Sequence, residues 1–418
     1  MHKRSSSFDV IVVGGGAIGL TVGWRAAQQG LRVAVLERGE PGHGTSWVAA
    51  GMLAPVAEAR FVEQPLLELG LAAVRGYPQF VEELHAASDT DPGYLPCSTL
   101  LVARDRDEAE SLERELQLRR GLGLAVERLR PSQARGLEPA LAPTLRLALE
   151  VPGDHAIDPR KLTAALAQAL RRAGGELRTG VEVAALEVSP SGRVAGARLA
   201  GGELVDAEQV VVATGAWTAQ LGGVPEEARV PIHPVKGQIL RLHDPSGPGL
   251  LTRILRISGG YIVPRGDGRY VLGATTEERG LDATVTAGAT FELLRDAIEL
   301  VPGASELVID ELGAGVRPAT ADNAPAIGPG AIPGLHWAVG HYRNGILLCG
   351  ITAELVVPGL LGEEPPELAS RFLPARLTGL PSRSTGLPSR STGLPSRSTD
   401  PSSRRDLPTR SGDVTVRA

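Results

Sequence analysis

Gly14, Gly16 and Gly19, with Glu37 twenty-three positions after the first of them, are the residues of this chain whose types and spacing specify chemistry most directly. Gly14 permits a tight turn, Gly16 lets backbone approach a pyrophosphate, and Gly19 lets a helix pack closely on a strand. The phosphates would then sit against the unpaired N–H groups of a helix start. Glu37 can accept the 2′- and 3′-hydroxyls of an adenosine ribose and would repel a 2′-phosphate. An adenine dinucleotide other than NADP is the ligand this set asks for. A glycine-rich turn with no ligand is the alternative.

Positioning those residues takes a strand, a turn, a helix and a second strand. The apolar run Phe8–Val13 and the β-branched run Val33–Leu36 flank a helical stretch from Ile18 to Gln29 that Gly30 closes, which predicts a βαβ unit. Ala17 and Ile18 open that helix at the phosphate end, and Arg38 follows Glu37. Gly44-Thr45-Ser46 offers donors, and the small residues Ala49, Ala50 and Gly51, followed by Met52, allow close passage of a bulky ring. Thr214, Gly215 and Trp217 follow the short apolar run Val210–Val212, where a second crossing segment is expected, and Val183 is grouped with them. NAD and FAD both fit these residues, and the small side chains tilt the reading towards FAD.

Further along, residues 63–87 predict a long amphipathic helix and Arg106–Arg120 a charged one with a solvated face. Asp158-Pro159 is the N-cap and first position of a helix through Leu170. Val181–Val188 and Val194–Leu199 predict a hairpin. Strands are expected at Ile239–Leu242, Tyr261–Val263, Tyr270–Leu272 and Val308–Leu312, with a helix at Phe291–Val301. The fold class is α/β: a Rossmann-like dinucleotide domain from 8–85, 150–225 and 315–372, interleaved with a mixed or antiparallel β-rich substrate domain from 86–149 and 226–314.

The C-terminal stretch differs in kind. Thr-Gly-Leu-Pro-Ser-Arg-Ser occurs three times, at 378–384, 385–391 and 392–398, and proline every seven residues forbids a helix. Residues 376–418 are expected to be a disordered low-complexity tail, with a recognition segment as the alternative. That tail holds eight Arg against three Asp, whereas the body carries 35 basic and 45 acidic residues, a poor balance for nucleic acid. Cys97 and Cys349 give neither a disulfide framework nor metal-ligand spacing, so no metal is expected and a reducing, cytoplasmic compartment is favoured. No apolar run reaches the length of a membrane span.

Several segments resemble the FAD-dependent amino-acid oxidase superfamily, built on a glutathione-reductase-type FAD domain. They are the N-terminal fingerprint, Gly51-Met52-Leu53-Ala54-Pro55 with Glu58, and Thr214-Gly215-Ala216-Trp217. Tyr261-Ile262-Val263-Pro264-Arg265, Gly315-Val316-Arg317-Pro318, Asp322-Asn323-Ala324-Pro325 and Gly340–Leu348 look most like the glycine oxidase family of thiamine biosynthesis. The resemblance spans residues 8–358. It implies non-covalent FAD, a small amino-acid substrate with molecular oxygen, release of ammonia and peroxide, and hand-over of the imine to thiazole synthesis. A homo-oligomer, such as a tetramer, is also implied. A D-amino-acid or sarcosine oxidase or dehydrogenase of the same superfamily is the alternative, as is a non-catalytic FAD protein.

On the same resemblance Arg317 is the carboxylate clamp, Tyr261 helps hold that carboxylate, Arg343 closes the site, and Met52 borders it. Taken alone, the two arginines read as surface ion pairs and Tyr261 as a sheet-packing aromatic. His341, Tyr342, Arg343, Asn344, Gly345, Ile346 and Leu347 are expected to turn into a helix directed at the flavin, its N–H groups stabilising developing negative charge. His341 is read as a structural or flavin-side histidine, so the expected mechanism has no side-chain general base.

Overall fold

The computed structural model describes residues 8–257 and 259–379, leaving aside the side chain of Phe61. Two large sheets carry the fold. In the first, Phe8–Val13 lies between Val33–Leu36 and Leu204–Val212 in parallel register, Val12 opposite Val35 and Val211. Glu176–Arg178 extends one side, and Leu335–Val339 with Ala326–Pro329 the other. Val194–Leu199 and Val183–Val188 continue antiparallel from the first half of Leu204–Val212.

Strand alternation sorts the side chains. Val10, Val12, Val33 and Val35 face the helices Ala17–Gln28, Pro159–Arg172 and Gly345–Leu360, while Ile11, Val13, Ala34 and Leu36 face the opposite layer with Val212 and Trp337. Both faces are covered, so these strands are apolar throughout. Each of the larger side chains among them contributes about 1.5–3 kcal/mol of burial.

The second sheet is mostly antiparallel, in the order Val308–Ala319, His233–His243, Arg269–Gly273, Gly260–Pro264, Ile254–Ile257, Thr99–Ala103, Leu147–Val151 and Glu127–Leu129. Leu100 and Val102 face the side covered by the helix Ala287–Leu300, whereas Leu101 and Ala103 face the helix Arg106–Gly121. A small third sheet joins Met52–Leu53 and Tyr94–Leu95 to His155–Ile157.

The α/β class, the βαβ start and the β-rich middle agree with the sequence reading. The long helix runs Gln64–Ser88, and Asp158 caps Pro159–Arg172 by accepting from the Arg160 N–H at 3.0 Å. Two expectations need correction. Val210–Val212 is only the end of a nine-residue strand, because its first half alternates exposed and buried and lacks an apolar run. Val308–Leu312 likewise continues to Ala319, through Gly313 and Gly315. The charged helix has the expected solvated face, and its other side carries a buried cation: Arg119 donates to the carbonyls of Val56 at 2.9 Å and Ala57 at 2.6 Å.

The chain is also still packed where a disordered tail was expected to begin. Leu377 is buried and Arg376 pairs with Asp322 at 2.9 Å. The repeats lie outside the described residues beyond Gly379.

Candidate active site

Gly14 follows the first strand with φ +107°, and a Cβ there would lie 2.6 Å from the Ala213 carbonyl oxygen. A Cβ on Gly19 would come within 1.9 Å of the Gly14 carbonyl oxygen, so this residue sets how closely helix meets strand. Gly16 ends the turn in extended backbone, and the first helical N–H, that of Ala17, donates to the Ser46 hydroxyl at 3.1 Å. Glu37 accepts from the Gly15 N–H at 2.7 Å through one carboxylate oxygen and from the Gly39 N–H at 2.9 Å through the other. It therefore braces the turn, and its remaining lone pairs stay available to a ribose.

Thr45 differs from the expectation of a donor. Its hydroxyl proton is used on the Val316 carbonyl at 2.6 Å, so it faces the cavity only as an acceptor. That bond ties the short helix Thr45–Val48 to the strand bearing Arg317. Arg265, half-buried and pushed down to about 10 by desolvation, donates to the Ala50 carbonyl at 2.8 Å and holds the Ala49–Gly51 backbone in place. The Arg38 guanidinium lies 4.4 Å from the Trp217 ring centre.

These residues line one end of a cavity of about 900 Å³. Gly14, Gly16, Ala17, Ile18, Glu37, Arg38, Thr45, Ser46, Ala49, Ala50, Gly51, Met52, Val183, Thr214, Gly215 and Trp217 all border it. So do Tyr261, Arg317, His341, Tyr342, Arg343, Asn344, Gly345 and Ile346. Two expected residues do not. Gly19 acts through packing, as its spacing suggested. Leu347 is turned by the helix towards a separate pocket of about 40 Å³, beside Pro55 and Gly70.

At the far end Arg317 projects across Gly237 of the neighbouring strand, where a Cβ would lie 2.2 Å from its guanidinium. Its Nη1 donates to the carbonyls of Lys236 at 3.3 Å and Thr275 at 3.1 Å. Arg343 donates to the Thr276 hydroxyl at 3.3 Å, and its buried Nε has no partner. Among the described residues no carboxylate forms an ion pair with either arginine. Burial raises the Tyr261 phenol above its ordinary range while the adjacent Arg317 opposes that rise, so it stands as a protonated donor.

The C-terminal helix Gly345–Leu360 starts at this wall. Tyr342 adopts φ +47°, unusual for a tyrosine, and its N–H donates to the Pro318 carbonyl at 2.8 Å, fixing the turn against the Arg317 strand. His341 is buried, bonded through Nε2 to the Thr352 hydroxyl at 2.9 Å, and burial pulls it down to about 3. It is neutral at ordinary pH.

Sequence reasoning missed Gly237, Ile239, Thr276, Arg60 and Arg256, which also line the cavity. A glycine inside the run Val235–His243 was the available signal, since strand glycines mark close approach.

The donor set fits FAD. A braced glycine turn and a helix start lie at one end, small residues at the waist, and a second helix start with fixed cations at the other, in a volume suited to a large cofactor plus a small substrate. The model of the FAD dependent oxidoreductase family matches residues 9–358. A glycine oxidase of Geobacillus kaustophilus is 38% identical over 84% of this chain and 92% of its own length. The crystal structure of glycine oxidase from that species superposes with a TM-score of 0.82 at 35% identity, covering 89% of this chain and 99% of the other. An iminodiacetate oxidase from Chelativorans gives a TM-score of 0.78 at 28% identity, covering 87% and 98%. The chain is an FAD-dependent oxidoreductase and belongs to the glycine oxidase family of the amino-acid oxidase superfamily.

Proposed function

We propose that this enzyme oxidises glycine, or a similarly small amino acid, to the imine. Water hydrolyses the imine to the oxo acid and ammonia, and molecular oxygen is reduced to hydrogen peroxide. The observation that carries the reading is the pair of guanidiniums, Arg317 and Arg343, which lack carboxylate partners among the described residues and share a cavity with the dinucleotide turn.

FAD, held by the Gly14–Ala17 turn, Glu37 and the Ser46 segment, supplies the two-electron acceptor. Arg317 holds the substrate carboxylate through its planar fork, and the Tyr261 hydroxyl donates to the same group. Arg343 closes that end and adds positive charge. Burial works against this charge, but Tyr342, Glu58 and Tyr261 more than offset it. His341, neutral and bonded to Thr352, takes no proton from the amine, so the substrate must bind with its nitrogen free to supply electrons.

Non-covalent binding is part of this reading. Cys349 is fully buried with its thiol on the Ile346 carbonyl at 3.3 Å, and Cys97 does not border the cavity. Acid precipitation is expected to release the yellow cofactor into the supernatant; colour kept in the pellet would refute it. Supply of iminoglycine to thiazole formation and homo-oligomeric assembly rest on the family resemblance, and a cytoplasmic location on the two sparse cysteines. Among the described residues no helix is long and apolar enough to cross a membrane.

Peroxide and oxo-acid formation with glycine, sarcosine, D-alanine and D-proline tests the substrate. Glycine and sarcosine are expected to lead, whereas exclusive turnover of the D-amino acids would favour the alternative. Likeness to an iminodiacetate oxidase extends the reading to N-substituted glycines.

A further inference from the structure

Arg256 is a cation of the cavity that the reaction above leaves unused. It lies on Ile254–Ile257, and the antiparallel register sets it opposite Tyr261 on Gly260–Pro264. Opposed residues of such a pair share one face of the sheet, so Arg256 extends across the sheet the row that contains the tyrosine of the carboxylate site. Its Nη1 donates to the Ala57 carbonyl at 2.6 Å, which fixes the head of the side chain. Its Nη2 is 3.8 Å from Glu58, beyond hydrogen-bond reach. A guanidinium has five donors, and most of these remain uncommitted.

The surrounding wall is cationic. Glu58, Arg60, Arg256 and Arg343 border this end of the cavity, three positive charges against one negative. Arg60 is only 4.0 Å from Glu63, whose Oε1 also accepts from the Asn323 amide at 2.9 Å. With Glu63 counted, one positive charge is in excess here, and a lone glycine carboxylate on Arg317 and Tyr261 leaves it uncompensated.

We propose that Arg256, with Arg60 beside it, is a specificity-determining residue that receives a second oxyanion on a short arm of the substrate. Glu58 is the opposing charge that limits its strength. The inference rests on Arg317 and Tyr261 holding the first carboxylate.

The test uses the FAD-loaded enzyme and its Arg256→Leu and Arg256→Lys variants. Turnover is compared for sarcosine, iminodiacetate and D-aspartate, the last two placing the second carboxylate on nitrogen or on carbon. Binding of oxydiacetate and methoxyacetate, which carry two carboxylates and one but no amine, is followed through the flavin spectrum. Arg256→Leu is expected to lower the ratio of kcat/KM for the better dianion to that for sarcosine by about 10- to 100-fold, the size of a lost charge-assisted hydrogen bond. Oxydiacetate should weaken in the same proportion relative to methoxyacetate, with Arg256→Lys recovering part of both. A ratio unchanged within about twofold, or wild-type enzyme binding oxydiacetate no tighter than methoxyacetate, would overturn the proposal. Failure of every amine to be turned over would reject the oxidase reading instead, and the oxydiacetate comparison would still decide the second-anion site.

Discussion

The two ends of the cavity are built on opposite principles. The dinucleotide end comes from one continuous stretch, residues 14–46, together with the 213–217 crossing. Its polar groups are largely satisfied by one another: Glu37 binds two backbone N–H groups and Ser46 takes the first helical N–H. The substrate end draws on segments more than 200 residues apart, and its charged heads, Arg317 and Arg343, find only carbonyl or hydroxyl partners. A pre-satisfied end anchors a ligand by shape and backbone. An end with unspent charge waits for an anion. On the proposed reading, anchoring falls to the first and choice of substrate to the second.

Arg317→Leu probes that contrast most severely. It should lower kcat/KM for glycine by about 100-fold or more, since a fixed charge-assisted contact is lost, while flavin content on purification stays near that of the parent. Loss of flavin together with activity would erase the distinction between the ends. Gly19→Ala attacks the other end through packing. Its Cβ meets backbone at 1.9 Å, so the helix must shift, and about 1–3 kcal/mol of stability is expected to go with much of the bound FAD. Thermal melting and flavin absorbance of the purified variant measure both.

Glu37→Ala is a smaller step. It leaves the Gly15 and Gly39 N–H groups without their acceptor, and the dissociation constant for FAD should rise about tenfold or more while turnover at saturating FAD changes little. Reconstitution of apoprotein with FAD reads this directly.

The smallest effect is a pH dependence. His341 is held down to about 3 and His336 to about 4, each by burial. Below pH 6.5 the unfolded chain binds these protons and the folded chain does not. Their contribution to stability is therefore complete above about pH 6.5 and declines as pH falls, down to about 4 for His336 and about 3 for His341. His341→Gln should flatten part of that decline in melting temperature, and an unchanged slope would mean that the ring is not buried neutral.

Much of this contrast was legible in the residues themselves. Gly14, Gly16, Gly19 and Glu37 act within about two dozen positions of one another, so local spacing carried their geometry. Arg317 and Tyr261 were reached through resemblance, because nothing within either short motif says that Gly237 clears room for the guanidinium. Arg256 escaped notice because cross-strand register, not sequence distance, brings it to Tyr261. Leu347 was misplaced for a related reason: the motif Gly340–Leu348 was read as one continuous lining, whereas helical rotation turns its last residues into the core and the small pocket. Thr45 borders the cavity, but the partner that reverses its hydrogen-bonding role lies 271 residues away.

The central claim is that the unpaired arginines receive an amino-acid carboxylate in front of a bound flavin. Anaerobic addition of glycine to the purified protein, following the flavin absorption, tests it most directly. The account predicts bleaching in the parent enzyme and bleaching at least about 100-fold slower in Arg317→Leu with its flavin retained. A flavin spectrum that no small amino acid bleaches, or bleaching indifferent to the loss of Arg317, would contradict it.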